Sequence, residues 1–191
     1  MTPVRAILVD LDGTLADTAA ANYAAYAAAL EEHGILIDRA RFEAIAFGRN
    51  WRQFLPQLVT EAGLLHDPAV IAARKTVLYA TMMDRIVINQ GLVRLLGMNR
   101  PACRTALVTT ASAVNAHAIL NHHDLAKLFD TVVTGNDVSC HKPDPEAYHL
   151  AAQRLGVSPA ECLIFEDSAI GLASAQAFGA TAIQVQISAS A

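Results

Sequence analysis

The sequence predicts an α/β protein whose doubly wound parallel sheet is interrupted, after its first strand, by an insertion that is all helix. Three observations carry this. An apolar run through Val4, Ala6, Ile7, Leu8 and Val9 ends in Asp10-Leu11-Asp12-Gly13-Thr14; an apolar stretch without alternation is the pattern of a strand covered on both faces, as in parallel sheets. Beyond residue 90, short apolar runs alternate with helical stretches, the rhythm of βαβ units. Between the two, residues 17 to 88 offer helix formers and helix punctuation with no strand-like run.

After the opening strand, Thr18 to His33 is alanine-rich, with Asp17 or Thr18 to cap its start and Gly34 to end it. Asp38 to Ile45 reads as a short helix, and Phe47 to Arg52 breaks the pattern. Helix resumes over Gln53 to Ala62, stops at Gly63, and restarts at an Asp67 cap with Pro68 in the first turn. Apolar residues at Val70, Ile71, Val77, Leu78, Met82 and Ile86 extend this last helix to Ile88. The sheet then resumes: helix Gly91 to Met98, strand Thr105 to Thr109, helix Ala113 to His122, strand Thr131 to Thr134, helix Pro145 to Leu155, strand Cys162 to Phe165, helix Ser168 to Phe178, strand Thr181 to Val185. The expected domains are therefore a core of 1–16 with 89–191 and a helical insertion of 17–88, with Leu15 to Asp17 as the first of two hinge strands. Ser188 to Ala191 reads as a frayed end.

Composition narrows the class. With 191 residues the chain suffices for one good core or a core plus a small domain. The hydrophobic fraction of 53% owes its excess to alanine, and charged or polar residues interrupt every apolar run, so no membrane span is expected. The start lacks a signal-peptide pattern, and the three scattered cysteines, Cys103, Cys140 and Cys162, have no zinc spacing; a reducing cytoplasm is the expectation. A net charge of −4 without a basic cluster argues against nucleic acid as a partner.

Four strand ends carry polar groups: Asp10 and Asp12; Thr109 and Thr110; Lys142, in the loop before a helix; and Glu166 with Asp167. Parallel topology brings these carboxyl ends to one edge of the sheet, where α/β proteins bind ligands. Phosphoryl transfer uses every part. A carboxylate such as Asp10 can attack phosphorus, and a second acid can move protons. A hydroxyl and a lysine can hold the phosphoryl oxygens, while Asp10, Asp167 and Glu166 offer oxygen ligands to Mg²⁺.

DLDGTLADT, VTT, HKPDPEAY and FEDSAIGLASAQAFG resemble the four motifs of the haloacid dehalogenase superfamily, and the helical insertion resembles the cap of its phosphoglycolate phosphatase and β-phosphoglucomutase branch. The resemblance implies a Rossmann-like core, Asp10 as nucleophile and Asp12 as general acid/base, with the Asp12 carbonyl on Mg²⁺. It implies Thr109 and Lys142 on the phosphate, and Asp167 with Glu166 at the metal; Thr110 is expected to contribute through its backbone. Arg49, Asn50, Trp51 and Arg52 form either a substrate loop facing the site or a segment in which Trp51 packs the cap and the arginines are solvated. Trp51-Arg52, Lys75-Thr76 and His141-Lys142-Pro143 resemble small sugar-phosphate phosphatases acting on fructose 1-phosphate and related substrates. Asn22 stands where the mutase subgroup carries a histidine, and GRNWR lacks that subgroup's Ser-Arg pair, which disfavours a phosphomutase. Asp12 itself disfavours dehalogenation. The expectation is a Mg²⁺-dependent phosphomonoesterase of a small phosphorylated metabolite, monomeric or weakly dimeric. The alternatives are a phosphomutase and, outside enzymes, a phosphate-binding regulatory protein.

Overall fold

A computed structural model describes residues 2–46 and 51–187. Arg49 and Asn50, and the end at Ser188 to Ala191, lie outside the described residues. The chain divides into two compact units, one of Met1–Thr18 with Val87–Ala191 and the other of Ala19–Ile86. The strands are β1 (Ala6–Val9), β2 (Ala16–Asp17), β3 (Val87–Ile88), β4 (Arg104–Val108), β5 (Thr131–Val133), β6 (Cys162–Glu166) and β7 (Thr181–Gln184). The helices are α1 (Ala19–Glu31), α2 (Arg39–Ala46), α3 (Trp51–Glu61) and α4 (Pro68–Tyr79), then α5 (Gln90–Asn99), α6 (Ala113–His122), α7 (Glu146–Leu155) and α8 (Ala169–Phe178).

The main sheet runs β5-β4-β1-β6-β7, with every neighbouring pair parallel. β1 is central, and Val9 pairs with Leu107 on one side and Phe165 on the other. That register sets Asp10 level with Val108 and Glu166, and leaves Thr109 one residue further along its own strand. Ala6 and Leu8 pack with Ala106, Val108 and Ile164 against Ala147, Tyr148 and Ala151 of α7 and Ala175 and Phe178 of α8. Ile7 and Val9 point to the other face by the period of two, and at 3% and 0% exposure they are covered there as well. This is why β1 carries no polar residue until it leaves the sheet. Each such Leu, Ile or Val contributes about 1.5–3 kcal/mol through burial.

The sequence predicts one helix from Ala69 to Ile88, and here the structure differs. α4 stops at Tyr79, Met83–Arg85 form a single tight turn, and Val87–Ile88 is a strand antiparallel to β2, pairing Ala16 with Ile88 and Asp17 with Val87. No Gly or Pro marks the stop, so local punctuation is silent. The β-branched pair suits a strand, and Asn89 pins the return by donating its backbone N–H to Leu15 O (2.9 Å) and its side-chain amide to Thr14 O (3.1 Å). β3 is visible only through these long-range bonds.

The helical unit has its own core of Leu30, Phe42, Phe54, Leu55, Leu58 and Ile71. Tyr26 lies against Phe42 and Phe54, at 5.3 Å between ring centroids in both cases, so the tyrosine stripe of α1 is packing. The Asp67 side chain accepts from Ala69 N at 2.9 Å ahead of Pro68, the cap expected for α4. Among the described residues no helix is long and apolar enough to cross a membrane.

Candidate active site

Beyond β1 the chain closes a tight loop, in which Leu15 N donates to Asp10 O (3.2 Å), Ala16 N to Leu11 O (2.9 Å) and Gly13 N to Ala16 O (2.8 Å). Gly13 has φ +84°, and a Cβ there would run into the Asp167 carboxylate, so only glycine serves. Thr14 Oγ1 donates to Asp167 Oδ1 at 3.3 Å. Thr18 Oγ1 donates to Asp12 Oδ1 at 2.5 Å and holds that carboxylate at the loop's rim.

Lys142 is the centre of the arrangement. Its side chain is 5% exposed, and its ammonium lies 2.7 Å from Asp10 Oδ1 and 2.5 Å from Glu166 Oε1. A third bond, of 3.0 Å, reaches Val108 O, so all three of its donors are engaged. The Lys142–Pro143 peptide is cis. Glu166, 1% exposed, also accepts from Tyr148 Oη (3.0 Å), Asp167 N (3.1 Å) and Ser168 Oγ (3.2 Å), so both of its oxygens are in use. Ser168 in turn caps α8 by accepting from Gly171 N at 3.0 Å. A Cβ on Gly171 would fall on the Glu166 carboxylate, which explains a glycine in the first turn of a helix.

Burial pushes the Asp10 carboxyl up to about 8; Glu166 and Asp12 add to the rise and Lys142 opposes it. For Lys142 burial acts downward, but the attraction of Asp10, with Tyr148 and Glu166 beside it, outweighs burial and holds the ammonium charged well above its ordinary range. Burial and then Glu166 raise Asp167 as well. The imbalance is plain: oxygens of Asp10, Glu166 and Asp167 lie within 4.8 Å of one another, with one ammonium among them. Two such charges repel by at least about 3.5 kcal/mol at an effective dielectric near 20. An all-oxygen, over-negative set of this kind fits a hard divalent cation.

Thr109 is buried just past β4, and its Oγ1 accepts from Ala111 N at 3.0 Å, which leaves the hydroxyl proton to donate elsewhere. Thr110 is exposed, and its carbonyl faces Gly135 so closely that a Cβ there would lie 2.5 Å away. Asp10, Lys142, Glu166 and Asp167 thus come together, with Thr109 at the end of the neighbouring strand. Trp51 belongs to the helical unit, where its ring packs on that unit's core under the Arg52 guanidinium, 4.5 Å from its centroid. His141 and Cys140 are exposed. In the helical unit Lys75 is buried, donating to Asn22 Oδ1 at 2.7 Å and lying 4.1 Å from the Tyr79 ring centroid. Reasoning from sequence missed Thr14, Thr18 and Tyr148. The two threonines sit inside or beside the first motif, a usable signal, whereas Tyr148 reads as one more apolar position of α7.

Parallel strands that deliver two acids, a threonine, a bridged lysine and a second acidic pair to one sheet edge define a class of hydrolase. The chain belongs to the haloacid dehalogenase-like hydrolase family, whose model matches residues 4–179. It is 31% identical over 182 residues to the fructose-1-phosphate phosphatase YqaB of Escherichia coli (strain K12), covering 95% of this chain and 96% of that one. To hexitol phosphatase A of the same organism it is 34% identical over 187 residues, 95% of this chain and 82% of the other. Among solved structures, CbbY from Rhodobacter sphaeroides in complex with phosphate superposes with a TM-score of 0.81 at 27% identity, over 96% of this chain and 86% of that one.

Proposed function

We propose that this hydrolase is a Mg²⁺-dependent phosphomonoesterase that acts on a small phosphorylated metabolite, a sugar phosphate, through a phospho-aspartate on Asp10. The observation that carries the reading is the Lys142 bridge, which holds Asp10 and Glu166 together at the carboxyl edge of the sheet beside Asp167. Two of the relatives compared above are named as phosphatases of sugar or hexitol phosphates, which supports the substrate class.

In this reading Asp10 attacks phosphorus and the ester oxygen leaves with a proton from Asp12. Asp12 then takes a proton from water, which releases phosphate and restores Asp10. Thr18 fixes the Asp12 carboxylate through its 2.5 Å bond. Lys142 offsets charge on the phosphoryl oxygens and keeps Asp10 oriented, and the free hydroxyl proton of Thr109 donates to the same group. Asp10, the Asp12 carbonyl and Asp167 are the residues that would hold Mg²⁺, which when bound supplies charge neutralisation for nucleophile and phosphate. Glu166, with both oxygens engaged, positions Lys142 and the start of α8. Asn22, paired with Lys75 in place of a histidine, favours hydrolysis over phosphomutase activity.

The test is phosphate release from a panel of phosphorylated metabolites by the purified protein, with and without Mg²⁺. Release that needs the cation and vanishes in Asp10→Asn supports the reading; release that survives Asp10→Asn refutes it. Conversion of one sugar phosphate to another faster than phosphate is freed would mark a mutase instead.

A further inference from the structure

The sheet-bearing unit has a cleft of about 320 Å³ at its amino-terminal edge, lined by Arg5, Arg100, Arg104, Asp130, Leu155 and Val157 among others. Arg5 stands just before β1 and Arg104 opens β4, whereas Asp10 and Thr109 follow the same two strands. The four residues of β1 separate the two edges by roughly 13 Å at about 3.3 Å per residue, so this cleft is distinct from the active site.

Its charge runs against that of the chain. Three arginines line it with one aspartate, in a protein whose net charge is −4. The carboxylate is already committed: Asp130 accepts from Arg100 Nη2 (3.1 Å), Thr105 N (2.8 Å) and Thr105 Oγ1 (3.3 Å). Arg100 is also tied to Lys127 O at 2.5 Å, which fixes its direction. Arg5 bonds Glu161 at 3.0 Å with one nitrogen of a side chain that is 59% exposed. Arg104 donates its backbone N–H to Arg5 O at 2.8 Å, and its guanidinium makes no ion pair among the described residues. Strand pairing and a turn therefore hold three arginines beside two carboxylates, Asp130 and Glu161, that are each already paired. Leu155 and Val157 add an apolar wall.

We infer that this cleft binds a small phosphoryl anion, a phosphate or diphosphate group, outside the active site. Guanidinium forks match the geometry of phosphoryl oxygens in pairs, and among the described residues the carboxylates paired with the lining arginines are Asp130 and Glu161. The open lining makes binding weak and sensitive to salt.

Cys103 lines the same cleft and is partly exposed, which makes it a native reporter. The experiment follows iodoacetamide alkylation of Cys103 by peptide mass in the full chain, with pyrophosphate, inorganic phosphate or acetate present. Pyrophosphate is expected to slow Cys103 labelling by a factor of 1 + [L]/Kd, about threefold at twice its Kd, with phosphate weaker and acetate inert. In Arg104→Gln the protection is lost while the rate of phosphate release from substrate is unchanged; Arg5→Gln serves if that variant does not fold. Labelling at the same rate with and without pyrophosphate, equal protection in the arginine variants, or equal protection by acetate would each overturn the inference.

Discussion

Replacing Lys142 by methionine tests the electrostatic account of the site most severely. The ammonium bridges Asp10 and Glu166 at 2.7 and 2.5 Å with 5% of its side chain exposed, so Lys142→Met leaves two neighbouring buried carboxylates without their shared cation. Breaking a buried pair by removing one partner costs about 3–5 kcal/mol, against a total stability of roughly 5–15 kcal/mol, so the variant folds but is fragile. The sign of its pH dependence follows from the carboxylates. Asp10 already titrates near 8, because burial outweighs the lysine. Without Lys142 it rises further, so the folded variant binds more protons than the folded parent. An acid with a raised folded pKa loses stability as pH climbs from its unfolded value toward the folded one, at about 1.36 kcal/mol per unit. Below about pH 8 Asp10 is mostly protonated in both folded proteins, so its titration widens the deficit of the variant only as pH climbs past 8, where Asp10 of the parent ionises and that of the variant does not. Urea unfolding of metal-free protein at pH 7 and pH 9 measures it. A deficit under about 1 kcal/mol at pH 9, or one that shrinks from pH 7 to pH 9, would refute the reasoning.

Other perturbations isolate single contacts. Tyr148→Phe keeps the ring packed in the core and removes only the 3.0 Å bond to Glu166 Oε1; a loss of about 1–2 kcal/mol is expected from chemical unfolding, with kcat lowered more than KM. Gly171→Ala sets a methyl against the Glu166 carboxylate and is expected to lower stability by about 2 kcal/mol or more, measured as a thermal shift, and to reduce turnover with it. Asp137, held to about 2 by the Arg154 guanidinium and then Thr134, contributes stability that is full above the ordinary carboxylate range and lost as pH falls through 2. Asp137→Asn is expected to cost about 1 kcal/mol at pH 7, after discounting for a partly exposed pair, and almost nothing at pH 2.

The sheet was legible because its strands are built on short apolar runs. Ala6–Val9 cannot be solvated on either face, and the glycines at 34, 63, 156 and 179 mark helix ends by chemistry that needs no tertiary context. Asp10 and Asp167, which the fold brings together with Lys142, stood out because acids that end apolar runs have few structural reasons to be there; Lys142 stood out by its place in the loop before α7. Three things did not. β3 is two residues whose partner lies 70 positions away, so its pairing has no local signal. Tyr148 and Thr18 act through one hydrogen bond each, from positions that packing or capping would also explain. The basic cleft joins Arg5 to Arg100 and Arg104, residues that no window of the sequence holds together and that a scan for charge clusters passes over.

The central claim is that phosphate passes through Asp10. Rapid mixing of enzyme with Mg²⁺ and a turned-over phosphorylated metabolite, quenched in acid, allows the intact mass and then the peptide mass to be read. The account predicts a transient gain of about 80 Da on the peptide containing Asp10, absent from Asp10→Asn. Turnover without that label, or a label on any other residue, would contradict it.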